Sequence, residues 1–158
     1  MSKIERKYLA HFINVAELSQ EATYERLGKD LEEFSAELSA QVETKKNILG
    51  QTSVVISGYD KVGSVEPYYA EAGSGLFARL QGIIDGDLVL ENLKTDVVEV
   101  KLWEEENGGY NAIREEAYIE VVSYGGDTTG YQIPFKLHFT GNKVKGKFDI
   151  DTREFTAL

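Results

Sequence analysis

The sequence predicts a mainly β fold, loosely of the α+β class, in which a β-sandwich or partial barrel carries one flanking α-helix and one long loop. Most segments are rich in strand-forming residues or alternate between polar and apolar side chains, and a single segment has apolar residues at helical spacing. The length of 158 residues and the hydrophobic content of 42% suit one folded unit. We therefore expect a single domain that spans residues 1–158.

The strand predictions follow the chain in order. The first half predicts strands at 7–15 (KYLAHFINV) and 22–27 (ATYERL), then a strand that starts at residue 33 and runs to ILGQ, and a strand at 52–59 (TSVVISGY). The last two form a hairpin broken at Gly50. The second half predicts strands at 95–103, 111–124, 130–141, 143–150 and, at the end of the chain, 151–158. Glu104, Glu105 and Glu106 indicate an acidic loop, and Gly141–Asn142 indicates a tight turn. Pro134 favours an edge, a bulge or a local distortion over a regular central position.

The middle of the chain predicts a long loop followed by the helix. Glycines and a proline interrupt every period between residues 58 and 75, which is typical of a loop with a function. Ser74 could cap the following helix and Gly86 could end it. The apolar stripe of that helix consists of Leu76, Phe77, Leu80, Ile83 and Ile84.

The predicted strand that starts at residue 33 has an unusual polar face. Its sequence alternates so that one face carries acids, hydroxyls and an amide, without Lys or Arg until the strand ends. The other face carries Phe34, Ala36, Leu38, Ala40 and Val42, which we expect to point into the core. A solvated sheet surface ordinarily mixes both charge signs, so this pattern suggests that cations are disfavoured there.

Composition excludes several classes of function. The chain has no cysteine, which removes disulfides, thiolate metal sites and cysteine nucleophiles. The net charge of −10 argues against a surface that grips phosphates. No apolar run is long enough for a membrane span, and the first residues lack the apolar stretch of a signal peptide. We expect a soluble protein made in the cytosol.

No group of residues points clearly to catalysis or metal binding. His11 and His138 lie in different predicted strands without a Ser or Cys nucleophile beside them. The Asp85–Asp87 and Asp149–Asp151 pairs lack the ligand ladder of a calcium loop and are better explained as turns. The glycine-rich stretch SYGGDTTG lacks the spacing of a phosphate-binding loop. We expect no enzymatic activity, no cofactor and no metal, and a function that resides in the surface and its assembly.

Three stretches carry a resemblance to a known family. The sequences ETKKNILGQTSVVISGYD (43–60), VEPYYAEAGSGLFARLQGIID (65–85) and VVSYGGDTTGYQIPFKLHFTGNKVKGKFD (121–149) together resemble the tail tube, or major tail, proteins of long-tailed bacteriophages. The likeness spans about residues 23 to 156. It implies a β-sandwich flanked by a helix, six copies in a ring, and rings stacked into a virion tail tube through which double-stranded DNA leaves the capsid. Synthesis in the host bacterial cytoplasm, and tape-measure and tail-end proteins as partners, are implied in the same way.

The resemblance also gives the polar face a role. In the family, inner sheets of neighbouring subunits join into a continuous barrel around the lumen, which would place that face toward passing DNA without specific binding. The residues expected to face the lumen are Glu33, Ser35, Glu37, Ser39, Gln41, Glu43, Gln51, Ser53 and Ser57. The alternative is that the same acids simply face bulk solvent on a monomer.

Two further interpretations remain open. The loop at 58–75 is expected to reach a neighbouring subunit or ring, with Tyr59, Val65, Tyr68 and Tyr69 as anchors. The alternative function is a monomeric β-sandwich binding module of a carbohydrate-binding or adhesin-like kind. In that case Trp103, Tyr110 and Tyr131 would form a stacking surface.

Overall fold

A computed structural model describes residues 2–17, 20–28, 34–106 and 109–158 of the chain. The structure is 58% strand and has one α-helix in the described residues, which confirms the predicted mainly β fold with a flanking helix. In chain order the elements are β1 (Leu9–Asn14), β2 (Tyr24–Arg26), β3 (Ala36–Lys46), β4 (Thr52–Val65), α1 (Gly75–Gly86), β5 (Lys94–Glu106), β6 (Gly109–Val121), β7 (Gly125–Asp127), β8 (Gly130–Gln132), β9 (Phe135–Asp149) and β10 (Glu154–Ala157).

Eight of these strands form one antiparallel sheet in the order β2-β1-β5-β6-β9-β4-β3, with β10 also paired to β9, while β7 and β8 form a separate pair. The large sheet is curled. Strands β1 and β9 are three positions apart and would be separated by about 14 Å in a flat sheet. The rings of Phe12 on β1 and Phe148 on β9 nevertheless lie 4.6 Å apart, so the sheet bends around them.

The curled sheet buries apolar side chains on both of its faces. Neighbouring residues of a strand point to opposite faces, and Phe12 and Ile13 belong to different core clusters, as do Val98 and Val97. The first cluster, which includes Ile13 and Val97, is covered by helix α1. The second contains Phe12, Val98 and Phe148 and is enclosed by the curl of the sheet.

Helix α1 begins and ends where the sequence predicts. The Ser74 hydroxyl accepts a hydrogen bond from the Phe77 amide at the start, and Asp87 adopts a left-handed conformation with a φ of 46° directly after Gly86. Arg79 on this helix is 6% exposed and donates to the carbonyls of Ala16, Asn92 and Lys94. These bonds hold the helix against two neighbouring segments. No helix in the described part of the chain is long and apolar enough to cross a membrane.

Three sequence predictions about the later strands need correction. The predicted turn at Gly141–Asn142 is a bulge within β9, because both halves of β9 pair with β6 and the chain does not reverse. Gly141 supplies the required conformation with a φ of 90°. The predicted strand at 130–141 is divided at residues 133–134, so Pro134 lies in a break between β8 and β9, which agrees with the local distortion predicted there. Residues 104–106 belong to β5, since Glu105 and Glu106 still pair with β6.

Candidate assembly surface

Strands β3 and β4 extend far beyond the sheet as a two-stranded hairpin. Among the residues that the structure describes, β3 pairs only with β4, and β4 pairs with β9 only over its last residues, from Val62 to Val65. We call residues 38–61 the arm. Its ladder runs from Leu38 opposite Lys61 to Lys46 opposite Thr52. At about 3.3 Å per residue, the arm is about 30 Å long.

The tip of the arm is a turn closed by Asn47. Its side-chain oxygen accepts hydrogen bonds from the amides of Leu49 and Gln51 at 2.9 and 3.0 Å, and Gly50 takes a φ of 79°. Two apolar residues are nevertheless placed in this turn, with Ile48 102% and Leu49 76% exposed. Apolar side chains at an exposed tip indicate contact with another surface.

Cross-strand pairing assigns each arm residue to one of two faces, because residues directly opposite each other share a face. The polar face continues the alternation of Glu37 and comprises Glu37, Ser39, Gln41, Glu43 and Lys45 on β3 with Ser53, Val55, Gly58, Asp60 and Val62 on β4. The apolar face comprises Leu38, Ala40, Val42, Thr44 and Lys46 on β3 with Thr52, Val54, Ile56, Tyr59 and Lys61 on β4. A bulge inserts Ser57 between the paired residues Ile56 and Gly58.

The predicted polar row is thus largely on one face, with exceptions. Ser35 is exposed and lies just before β3, Gln51 belongs to the tip turn, and Ser57 is the bulge residue, where its hydroxyl lies 3.4 Å from the Gln41 carbonyl. Glu33 lies outside the described residues.

Acidic and amide groups dominate this face along the arm. The Gln41 amide donates to the Asp60 carboxylate at 3.0 Å, and the cation Lys45 is 3.4 Å from Glu43. The face continues onto the main sheet, where Val62 pairs with His138 and the His138 ring lies 2.7 Å from Glu120. The polar face therefore carries excess negative charge along the arm.

The apolar face contradicts the expectation that it points into the core. Only Phe34, which precedes the arm, is buried at 6% exposure. The five large apolar residues on the apolar face of the arm are more than half exposed: Leu38 58%, Val42 57%, Val54 62%, Ile56 53% and Tyr59 58%. The alternation correctly placed the apolar residues on one face, but that face is exposed because β3 and β4 extend past the part of the sheet that α1 covers.

The apolar face is continuous with the core. Gly63 of β4 pairs with Leu137 of β9, which pairs with Ile119 of β6, and both Leu137 and Ile119 lie beneath α1 in the first core cluster. Directly paired residues share a face, so the arm prolongs the core face of the sheet into solvent. A continuous apolar row of this kind is typical of a surface that a partner covers.

The predicted loop at residues 58–75 is shorter than expected, because β4 continues to Val65. Gly63 fits a strand here for a steric reason: a Cβ would lie 2.8 Å from the Phe34 ring. Of the proposed anchors, Tyr59 lies on the arm, whereas Val65 is 1% exposed and belongs to the core. Tyr68 packs edge-on against Phe135 with ring centroids 5.7 Å apart.

The remaining anchor, Tyr69, bridges to Gln132 of β8. Tyr68 and Tyr69 are both only partly exposed, so this segment is tied to its own chain by these contacts. Of the four anchor residues, Tyr59 is the most accessible to a second copy.

The three aromatic residues of the alternative binding-module hypothesis do not form one surface. Trp103 and Tyr110 lie toward the β5–β6 hairpin end, with Tyr110 opposite Phe148 of β9. Tyr131 precedes the start of β9 at Phe135 and packs on helix α1. Phe135 and Phe148 are separated by about 40 Å along a strand. A shared stacking platform is therefore not supported.

The fold is similar to that of the SPP1 tail tube, determined by a combination of solid-state NMR and cryo-EM. The similarity covers 93% of this chain and 81% of the SPP1 chain, with a TM-score of 0.66. The chain has the fold of a phage tail tube protein. Sequence identity with the SPP1 tail tube is 15%, so the likeness establishes the tail tube fold and leaves the function to be argued from the surface. No protein-family model matches the sequence, and no curated protein matches it.

Proposed function

We propose that this chain is the structural subunit of a phage tail tube, in which six copies form a ring and the rings stack into a hollow tube. The observation that carries the proposal is the uncovered apolar face of the arm, on a chain with the tail tube fold. The role is structural and not enzymatic, and its place is the virion tail, after synthesis in the host bacterial cytoplasm. Tape-measure and tail-end proteins would be further partners.

The apolar face supplies the driving force for assembly. Full burial of one Val, Leu or Ile side chain contributes about 1.5–3 kcal/mol relative to leaving it exposed. The apolar face of the arm offers five large apolar side chains that are each more than half exposed. Covering them with a second copy of the chain would contribute several kilocalories per mole for each arm, and the pairing would also satisfy the open edge of β3.

The polar face then lines the lumen. A polyanion held by several Lys or Arg contacts binds tightly at ordinary salt, which would stop its passage. The polar face of the arm instead presents Glu37, Glu43 and Asp60, and Lys45 lies beside Glu43. Charge effects reach only about 8–10 Å at physiological salt, so residues at the wall matter more than the net charge. Double-stranded DNA would pass without specific binding.

Adjacent valines on β4 provide a sharp test of this arrangement. Val54 is 62% exposed on the apolar face, and Val55 is 50% exposed on the polar face. We expect Val54→Asp to prevent tube formation, because it places a charge in the covered surface, whereas Val55→Asp should still assemble. Electron microscopy of the purified proteins would show hollow filaments with six-fold end views for the wild type and Val55→Asp only.

Circular dichroism provides the control for folding. Both valines are largely exposed in the single chain, so both variants should melt close to the wild-type temperature. A wild-type protein that stays monomeric at all concentrations, or a Val54→Asp variant that forms normal tubes, would contradict the proposed function.

A further inference from the structure

A buried ion pair lies where the arm leaves the sheet. The Lys61 ammonium donates to a carboxylate oxygen of Glu115 at 2.7 Å, and the side chains are 17% and 4% exposed. The second oxygen of Glu115 accepts the Gly141 amide at 3.1 Å, at the bulge of β9. The Lys61 ammonium also sits 4.5 Å from the centre of the Phe139 ring. Each carboxylate oxygen of Glu115 thus accepts one hydrogen bond, from Lys61 and from the Gly141 amide respectively.

Lys61 lies at the point where the arm joins the main sheet. Val62 is the first residue of β4 to pair with β9, so Lys61 is the last arm residue before the strand joins the sheet. Lys61 lies on the apolar face, between the covered residues under α1 and the exposed row that begins at Leu38 and Tyr59. One charged residue therefore marks the border between surface covered by the chain itself and surface left for a partner.

The surroundings of the pair are tightly packed. Phe34 leaves no room for a side chain at Gly63, and its ring packs edge-on against His11 at 4.8 Å. His11 in turn lies 3.4 Å from Glu99. The base of the arm is therefore held by contacts to β6 and β9, and Phe34, which precedes the arm, packs against β1. In the described residues, the rest of the arm pairs only with itself.

We propose that the Lys61–Glu115 pair is a positioning device that fixes the direction in which the arm leaves the sheet, and thereby the geometry with which copies join. The inference rests on the proposed tube function and deepens it. An apolar pair would fill the same site without the cost of removing two charges from water, and such replacements often leave stability unchanged or improved. A buried ion pair differs in requiring one specific geometry, because a shifted arm would leave a charge buried without its partner. Each subunit would then present its arm at the same angle.

The test separates positioning from stability. Lys61→Met/Glu115→Gln removes both charges together while the glutamine oxygen can still accept the Gly141 amide. We expect its melting temperature to stay near that of the wild type, while its tubes show more than one diameter class or ring symmetry in cryo-EM. Glu115→Asp keeps both charges but withdraws the carboxylate by one methylene, so it should also broaden the diameters. Lys7→Met/Glu5→Gln is the matched control, because it removes an exposed pair with an N–O distance of 3.2 Å.

The outcomes are distinguishable. Variant tubes of a single diameter and symmetry, identical to wild type, would overturn the positioning role while leaving the tube function intact. Should Lys61→Met/Glu115→Gln fail to fold, the Glu115→Asp tubes decide the question in the same way. A wild-type chain that forms no tubes would contradict the proposed function, and the inference would fall with it.

Discussion

His11 and Glu99 form a partly buried pair between β1 and β5, with a nitrogen–oxygen distance of 3.4 Å. The hydrogen bond from His11 holds the pKa of Glu99 below its ordinary value of 4.5, although burial of the carboxyl raises that pKa. The positive charges of Lys61 and Lys101 also lower it. The folded carboxylate therefore binds its proton more weakly than the unfolded one. The pair contributes stability at pH above about 4.5, which is lost as the pH falls through the lower folded pKa.

This gives a prediction for Glu99→Gln. The wild-type free energy of unfolding should fall as the pH drops below about 4.5, and the variant should lose part of that dependence because it has no carboxyl to protonate. Urea unfolding monitored across the acid range measures it. Glu105→Gln, an exposed residue on the same strand, is the control and should keep the wild-type profile. A profile for Glu99→Gln that coincides with wild type would contradict the assignment.

At the scale of elements, helix α1 is tied to the sheet through its first turn. The Ser74 hydroxyl donates to one Glu25 oxygen at 2.8 Å, and the other Glu25 oxygen accepts the Leu76 amide at 2.7 Å. Glu25 belongs to β2, so this cap joins the helix to an edge strand. A carboxylate at a helix N-terminus also interacts favourably with the helix dipole.

Removing this cap should have a measurable effect. We predict that Ser74→Ala lowers the free energy of unfolding by about 1 kcal/mol, the usual effect of losing an N-cap side chain. Equilibrium urea unfolding of the monomer measures the change. Ser123→Ala, at an exposed position outside the helix, should be close to neutral. An equally small effect for Ser74→Ala would show that Glu25 alone satisfies the helix start.

Sequence patterns predicted these elements to different degrees. The helix was predictable because Ser74 and Gly86 delimit an apolar stripe. The full length of β4 was not predictable, because Gly58 and Gly63 have the composition of a loop. Glycine is present at these strand positions because of contacts elsewhere in the chain: Gly58 sits beside the bulge, and Gly63 makes room for Phe34. The bulge in β9 was hidden for a similar reason, since Gly141–Asn142 has the composition of a turn and only pairing with β6 shows otherwise.

The candidate surface was half predictable. Alternation divided residues 33–43 into a polar and an apolar row, and the pairing of β3 with β4 agrees with that division from residue 36 onward. Alternation could not tell whether Leu38 and Val42 face a core or a partner. Both environments select the same residue types. The apolar residues Ile48 and Leu49 in the tip turn were the available signal, because a turn that only faces water seldom carries them.

At the scale of the whole molecule, the two faces of the arm impose opposite requirements on one assembly. The apolar face requires a protein surface that covers its exposed side chains. The acids of the polar face require an environment without basic groups that would neutralise them. The proposed closed tube around a polyanion would satisfy both requirements, because the apolar faces would lie between copies and the acids would line the channel. Such closure would also remove the open edge of β3.

The lining can be tested by reversing its charge. We predict that Glu37→Lys/Glu43→Lys leaves tubes intact, since both residues are exposed on the polar face, but slows the release of DNA from complete particles at low salt. Added lysines would hold phosphates, and that attraction weakens steeply as salt rises, so release should recover at high salt. Time-resolved DNA release at two salt concentrations measures both effects. Glu5→Lys/Asp151→Lys makes the same change in net charge at exposed positions off the arm and should release DNA at the wild-type rate. Unchanged release by the arm variant at low salt would place these acids away from the DNA path.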